Sequence, residues 1–119
     1  LLLLRKNDGK TVSHWEFPGG GLRRGENFLD GLYREVKEET NIDIEILYKS
    51  NFRRTIKYAI NKNTLKEVVL FIAVAVTDDI KVDGKEIGTA MWLNYKDILN
   101  TLTYVHQITI LKQAMLCIY

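Results

Sequence analysis

An α/β fold with a mixed β-sheet flanked by helices is what this sequence predicts, on three observations. Residues 27–40 space their apolar side chains as a helix does, whereas residues 42–47 alternate apolar and polar as a strand does. Residues 65–77 are almost continuously apolar after Glu67 and rich in β-branched side chains. Two further stretches, 95–102 and 105–117, have helical periodicity and complete the pattern.

Composition bounds what such a fold can be. The 119 residues are expected to form one domain with a real core, and 46% hydrophobic with 27% charged residues is ordinary for a soluble globular chain. A net charge of +2 is too small for bulk electrostatic binding of nucleic acid, so any anion preference must come from local placement. The lone Cys117 excludes an intrachain disulfide and a cysteine-rich metal site, which makes the cytoplasm the default expectation. No apolar run approaches the roughly 18 residues of a membrane helix, and no signal-peptide pattern is present.

In chain order, Leu1-Leu2-Leu3-Leu4-Arg5 reads as a buried strand entered without a preceding turn. Asn7-Asp8-Gly9-Lys10 is a turn signal. Ser13-His14-Trp15-Glu16-Phe17 is a short extended piece, biased to β or polyproline geometry by Pro18. His14 is a candidate substrate contact, with a surface histidine the simpler account. The loop from Gly19 to Gly25 holds four glycines and two arginines, Arg23 and Arg24, and lets the backbone approach a ligand closely.

Asn27 is the expected N-cap of the following helix, with Asp30 as its capping partner, and Leu29, Leu32, Tyr33 and Val36 should face the core. Residues 42–47 and 51–60 read as strands, and Asn61-Lys62-Asn63-Thr64 as a hairpin-like turn. Residues 65–77 are expected to be one central strand buried on both faces. Asp78-Asp79 and Asp83-Gly84 mark loops, residues 87–93 a last strand, and the two helical stretches follow. Cys117 and His106 are most simply packing or surface residues.

The chemistry concentrates on the first helix. On a wheel of about 100° per residue, Glu38 falls about 60° to one side of Glu35 and Glu39 about 40° to the other. Three carboxylates thus share one arc, where like charges destabilise an isolated helix by roughly a few tenths of a kcal/mol per i,i+4 pair. A bound divalent cation compensates directly, and oxygen-only ligands suit Mg²⁺ or Mn²⁺ rather than zinc. Gly31 lies one turn before Glu35 on the same face and reads as room left for a metal or a phosphate. Arg34, four residues before Glu38, can orient that carboxylate through a charge-assisted hydrogen bond.

This stretch resembles the Nudix box: G, five residues, E, seven residues, then R-E-U-x-E-E-x-G-U with U aliphatic. The matching positions are Gly20, Glu26, Arg34, Glu35, Val36, Glu38, Glu39 and Ile42. Asn41 stands where the family has glycine, and asparagine is the residue that otherwise best tolerates the left-handed conformation ending a helix. Pro18-Gly19-Gly20 and Gly25-Glu26 are similar to the family's flanking pattern.

The resemblance implies an α/β/α sandwich over nearly the whole chain, residues 1–119, with an N-terminal strand expected before Leu1 and missing from it. It implies metal-dependent hydrolysis of a pyrophosphate linkage in a nucleoside diphosphate joined to another group. Glu35, Glu38 and Glu39 are then the metal ligands, one of them doubling as general base, with the Gly20 carbonyl an additional ligand. Glu26 supports the metal shell or binds an outer cation. Glu38, Arg34 and Glu86 are the catalytic candidates; Glu86 is either a distal base or ligand, or a solvated loop residue.

For the substrate, the second half resembles the asymmetrical diadenosine tetraphosphate hydrolases in Phe52-Arg53-Arg54, Tyr58, Lys66, VVLFIAVAV, Glu86 and Trp92. Tyr58 would stack on a base, while Arg54, Lys66 and Arg24 would meet phosphates. Against this, Gly19 stands where those enzymes often have lysine, and Trp15-Glu16-Phe17-Pro18-Gly19-Gly20 is more similar to enzymes that cleave oxidised dGTP or other nucleoside triphosphates. A dinucleoside polyphosphate ranks first and a nucleoside triphosphate second. A nucleotide-sensing module without catalysis is the alternative of another class, and a homodimer is compatible with the sequence.

Overall fold

The first helix is closed at both ends by asparagine. Helix α1 (Phe28–Thr40) starts where Asn27, in extended geometry, accepts the Asp30 backbone N–H through Oδ1 at 2.8 Å. The Asn27 side-chain amide in turn donates to Asp30 Oδ2 at 3.0 Å. At the other end Asn41 adopts φ 67°, its backbone N–H donates to the Lys37 carbonyl at 2.9 Å, and its side chain donates to the Asp79 carbonyl at 3.0 Å. A residue standing in place of glycine therefore still makes the left-handed stop, and adds a tether to a distant loop.

The computed structural model describes residues 2–6, 14–47, 52–82 and 87–118. Around α1 the chain forms β1 (Leu2–Lys6), β2 (His14–Glu16), β3 (Ile44–Ile46), β4 (Arg53–Asn61), β5 (Thr64–Phe71), β6 (Ala73–Ala75) and β7 (Ile87–Trp92). Helices α2 (Tyr95–Thr101) and α3 (Val105–Ile118) follow, α2 capped by Asn94 through its contact with the Asp97 N–H. The α/β class is thus observed. Strand β1 lies between β2 and β7, β3 pairs with β6, and β4 pairs with β5 as a ribbon. Every pairing among the described residues is antiparallel, so the parallel component of a mixed sheet is not among them. The expected turn at 7–10 and the loop at 83–84 lie outside the described residues, as does Glu86.

One expectation is corrected. Residues 65–77 are not a single strand buried on both faces: Ile72 separates β5, which pairs with β4, from β6, which pairs with β3. Leu65 is 66% exposed, and Val74 and Val76 are exposed as well. The apolar run splits between two partners, and a two-stranded ribbon has too few neighbours to cover both its faces.

Helix α3 is the shared spine of the core. Its Leu111, with Ile108 and Met115 one turn to either side, packs with Ile98 and Leu102, and against Trp15 and Phe17. Its Ile110 and Ala114 pack on the other side with Phe52, which immediately precedes β4, and against Ile56 and Leu70 of the ribbon. On α1, Val36 is buried while Leu29, Leu32 and Tyr33 are half-buried. The Arg53 guanidinium lies over the Phe28 ring at 5.4 Å and the Phe71 ring at 5.7 Å, joining the ribbon to the start of α1. The Thr103 N–H donates to the Trp15 carbonyl at 3.1 Å and the Trp15 N–H donates to Thr103 Oγ1 at 2.8 Å, pinning β2 to the α2–α3 connection. Among the described residues, no helix is long and apolar enough to cross a membrane.

The helix stop is directly testable. Asn41→Ala should lower stability by about 1 kcal/mol, because alanine in the left-handed region is strained and the tether to Asp79 is lost. Asn41→Gly should stay within about 0.5 kcal/mol of wild type, since glycine relieves the strain while losing the same tether. Urea denaturation midpoints of the two variants check the ordering.

Candidate functional site

The carboxylate face of α1 is organised by one guanidinium. Arg34 Nε donates to Glu26 Oε2 at 2.8 Å and Nη2 to Glu26 Oε1 at 2.8 Å, a bidentate pair. Its Nη1 donates to Glu35 Oε1 at 2.8 Å and to Glu38 Oε2 at 3.2 Å, and Nη2 reaches the Gly21 carbonyl at 2.9 Å. Three carboxylates that would repel one another are thereby held around a single charge. Arg23 Nη2 adds a contact to Glu38 Oε1 at 3.1 Å.

The glycine-rich loop is laid over this face. The Gly19 N–H donates to Oε1 of Glu39 at 2.8 Å, and Glu39 is only 4% exposed. Gly20 sits so close to the Glu35 carboxylate that a Cβ would collide with it. Arg23 to Glu26 form a turn closed by the Glu26 N–H on the Arg23 carbonyl at 3.0 Å, with Gly25 at φ 80°, where a side chain is disfavoured. The Arg23 N–H also donates to Glu26 Oε1 at 2.9 Å. Loop and helix are therefore tied through Glu26, Glu39 and Arg34 together.

These contacts set the titration. The hydrogen bond from Arg34, and then the Arg23 N–H, hold the Glu26 carboxyl well below its ordinary 4.5, at about 2, against a smaller opposing effect of burial. The hydrogen bonds to Glu26 and Glu35 raise Arg34 above its already high ordinary value.

Sequence expectations meet this geometry unevenly. Glu35 and Glu38 share Arg34 Nη1, while Glu39 is turned to the loop backbone. Both Glu26 oxygens are committed to Arg34, which suits a supporting role rather than an open ligand position. The reading of Gly31 as room for a metal or phosphate is corrected: the Leu22 side chain and the Glu26 carboxylate fill the place a Cβ would take. Arg54 is engaged by Gln113 Oε1 at 3.1 Å and the Arg53 carbonyl at 3.1 Å, and stacks over Phe52 at 4.4 Å. Tyr58 and Lys66 are cross-strand partners, both exposed, on the ribbon face that carries Ile56. Arg24 is exposed in the turn.

Sequence reasoning missed a row of rings. His14 of β2 stacks on Tyr104 at 5.6 Å, Tyr104 stacks on His106 at 5.6 Å, and His106 meets Tyr58 of β4 at 6.3 Å. The row spans residues 14 to 106, and only side-chain type hinted at it, because the Trp15–Thr103 clamp creates the juxtaposition.

Among the described residues, no three His, Cys, Asp or Glu side chains converge as a finished metal cage. In donor chemistry the set nonetheless fits a hard cation: Glu35 and Glu38 both face one cationic nitrogen, all donors are oxygen, and the Gly20 backbone abuts Glu35.

A family model described as NUDIX domain matches residues 1–113. The chain is similar to the asymmetrical bis(5'-nucleosyl)-tetraphosphatase of Rattus norvegicus, 34% identical over 69% of this chain and 54% of that protein. It is also similar to an RNA pyrophosphohydrolase of Legionella pneumophila, 42% identical over 82% of this chain and 68% of that protein. Among solved structures, a C. elegans Ap4A hydrolase in a binary complex superposes with TM-score 0.80 at 26% identity, covering 99% of this chain and 86% of that one. The chain spans from 21% to 54% of the length of the plant and rat relatives it matches.

The Glu26–Arg34 pair makes a pH prediction. A carboxyl lowered in the folded state contributes stability that is complete above its ordinary value and is lost as pH falls from 4.5 towards about 2. Melting temperature followed from pH 7 to pH 2 should fall more steeply for wild type than for Glu26→Gln, which should begin lower and lose less across that window.

Proposed function

This chain belongs to the Nudix family, and from that premise we propose that it hydrolyses a pyrophosphate linkage in a nucleoside polyphosphate, with a dinucleoside tetraphosphate as substrate. The observation that carries this reading is the intact carboxylate set, oriented by Arg34 and roofed by the Gly19–Gly20 backbone. A Mg²⁺ or Mn²⁺ ion held by Glu35, Glu38 and Glu39, with the Gly20 carbonyl, would offset polyphosphate charge and lower the pKa of a bound water. Arg34 keeps Glu35 and Glu38 in position, and Glu26 keeps Arg34 in place. Glu38, more exposed than Glu35 or Glu26, would accept the proton of the attacking water. In such a hydrolysis the water oxygen would form the new P–O bond as the bridging P–O bond breaks, the departing phosphate taking the electron pair.

The substrate's ends are served by other elements. Arg24 and Lys66 are exposed cations with no ion pair among the described residues, suited to phosphate oxygens. The row His14, Tyr104, His106 and Tyr58 supplies π-faces on which a nucleobase can stack. Arg54, held by Gln113 and Phe52, stiffens the ribbon that presents Tyr58. Similarity to the rat tetraphosphatase and to the C. elegans Ap4A hydrolase fold supports the dinucleotide. A nucleoside triphosphate is the alternative small substrate, from the run Trp15 to Gly20.

A second reading, pyrophosphate removal from an RNA 5′ end, is favoured by the β4–β5 ribbon. There Arg53, Arg54, Lys57, Lys62 and Lys66 stand against the single acid Glu67. Similarity to the Legionella enzyme supports it further.

Product analysis with Mg²⁺ separates these readings. Diadenosine tetraphosphate should yield ATP and AMP, and Glu39→Gln should lower the rate at least about a hundredfold. Monophosphate plus pyrophosphate from a triphosphate, with the dinucleotide untouched, would move the substrate to nucleoside triphosphates. Faster release of pyrophosphate from 5′-triphosphorylated RNA would favour the second reading, and tight nucleotide binding without any turnover would leave a sensor.

A further inference from the structure

The two arginines that meet Glu38 are held very differently. Arg34 has a side chain 17% exposed and donates to Glu26, Glu35, Glu38 and Gly21, so its release would strip several groups of their partner at once. The Arg23 side chain is 66% exposed and, among the described residues, makes one polar contact, with a Glu38 carboxylate that is itself 49% exposed. Such an ion pair is easily exchanged, because water solvates both charges and freeing a long side chain returns its entropy. The Arg23 backbone is anchored all the same, its N–H on Glu26 Oε1 and its carbonyl on the Glu26 N–H. Arg23 is thus a mobile guanidinium on a fixed base, beside Arg24 and over the carboxylate face.

Glu38 also belongs to the set suited to a divalent cation, so the cation and Arg23 compete for one carboxylate. We propose that Arg23 is an exchangeable counter-ion, neutralising Glu38 when no cation is bound and turning to the substrate's phosphate oxygens once a divalent cation takes Glu38. The inference rests on the polyphosphate reading above. Arg34 already holds Glu38 Oε2, so a cation that binds Glu38 contests Oε1 with Arg23, the less anchored of the two arginines, and a planar guanidinium pairs with phosphate as readily as with carboxylate. The consequence is a split in sign: Arg23 opposes cation binding and favours substrate binding. A residue that merely supported the loop would weaken both when removed.

The test is Mn²⁺ titration by calorimetry without nucleotide, followed by steady-state kinetics on diadenosine tetraphosphate, for wild type, Arg23→Gln and Arg23→Lys. Arg23→Gln should bind Mn²⁺ about three- to fivefold more tightly. Its KM should rise about tenfold with kcat changed less than about threefold, as loss of a charged phosphate contact predicts. Arg23→Lys should return Mn²⁺ affinity to the wild-type value and recover part of the KM. Unchanged or weaker Mn²⁺ binding by Arg23→Gln, or an unchanged KM, overturns the proposal while wild-type turnover leaves the polyphosphate reading standing. Wild-type protein that neither binds Mn²⁺ nor turns over the dinucleotide overturns both.

Discussion

Everything at the carboxylate face depends on the guanidinium of Arg34. A helix that places Glu35, Glu38 and Glu39 on one arc concentrates negative charge, and Glu26 from the preceding loop adds to it. Arg34 answers with a planar array of donors that meets Glu26 in bidentate fashion and bridges Glu35 to Glu38. Because the same group also reaches the Gly21 carbonyl, the loop and the helix behave as one unit. The depressed titration of Glu26 records that coupling as a preference for the charged form.

Helix α3 plays the corresponding part for the rest of the molecule. Its Leu111 closes the core against β2 and α2, and Ile110 with Ala114 closes the core against the β4–β5 ribbon. The α2–α3 connection and the start of α3 therefore stand between β2 and the ribbon, which is why Tyr104 and His106 bridge His14 to Tyr58. The loop that covers the carboxylates leaves β2 directly, so the ring row and the acidic face share one strand as their common support.

Legibility from the sequence followed the range of the interactions. Asn27 and Asn41 were readable as helix ends because capping is decided within a few residues, and both behave as read. The apolar run at 65–77 misled because hydrophobicity reports a tendency to be covered, not whether neighbouring strands are present to do so; Leu65 and Val74 are exposed. Gly31 misled for a related reason, since the vacancy left by its missing side chain is filled by Leu22 from a loop nine residues earlier. Arg54 was readable as a cation on a strand, but its commitment to Gln113, 59 positions away, was not.

By itself the sequence determined the α/β class, the ends of α1 and the spacing that puts three carboxylates on one of its faces. Each of these follows from backbone periodicity and nearest-neighbour hydrogen bonding, which act over one or two turns. Tertiary structure alone decided that Arg34 reaches back to Glu26 and the Gly21 carbonyl, how the loop caps Glu39, and that rings at positions 14, 58, 104 and 106 line up. Those outcomes join residues far apart in the chain, so they depend on how whole elements pack rather than on the residues adjacent to them.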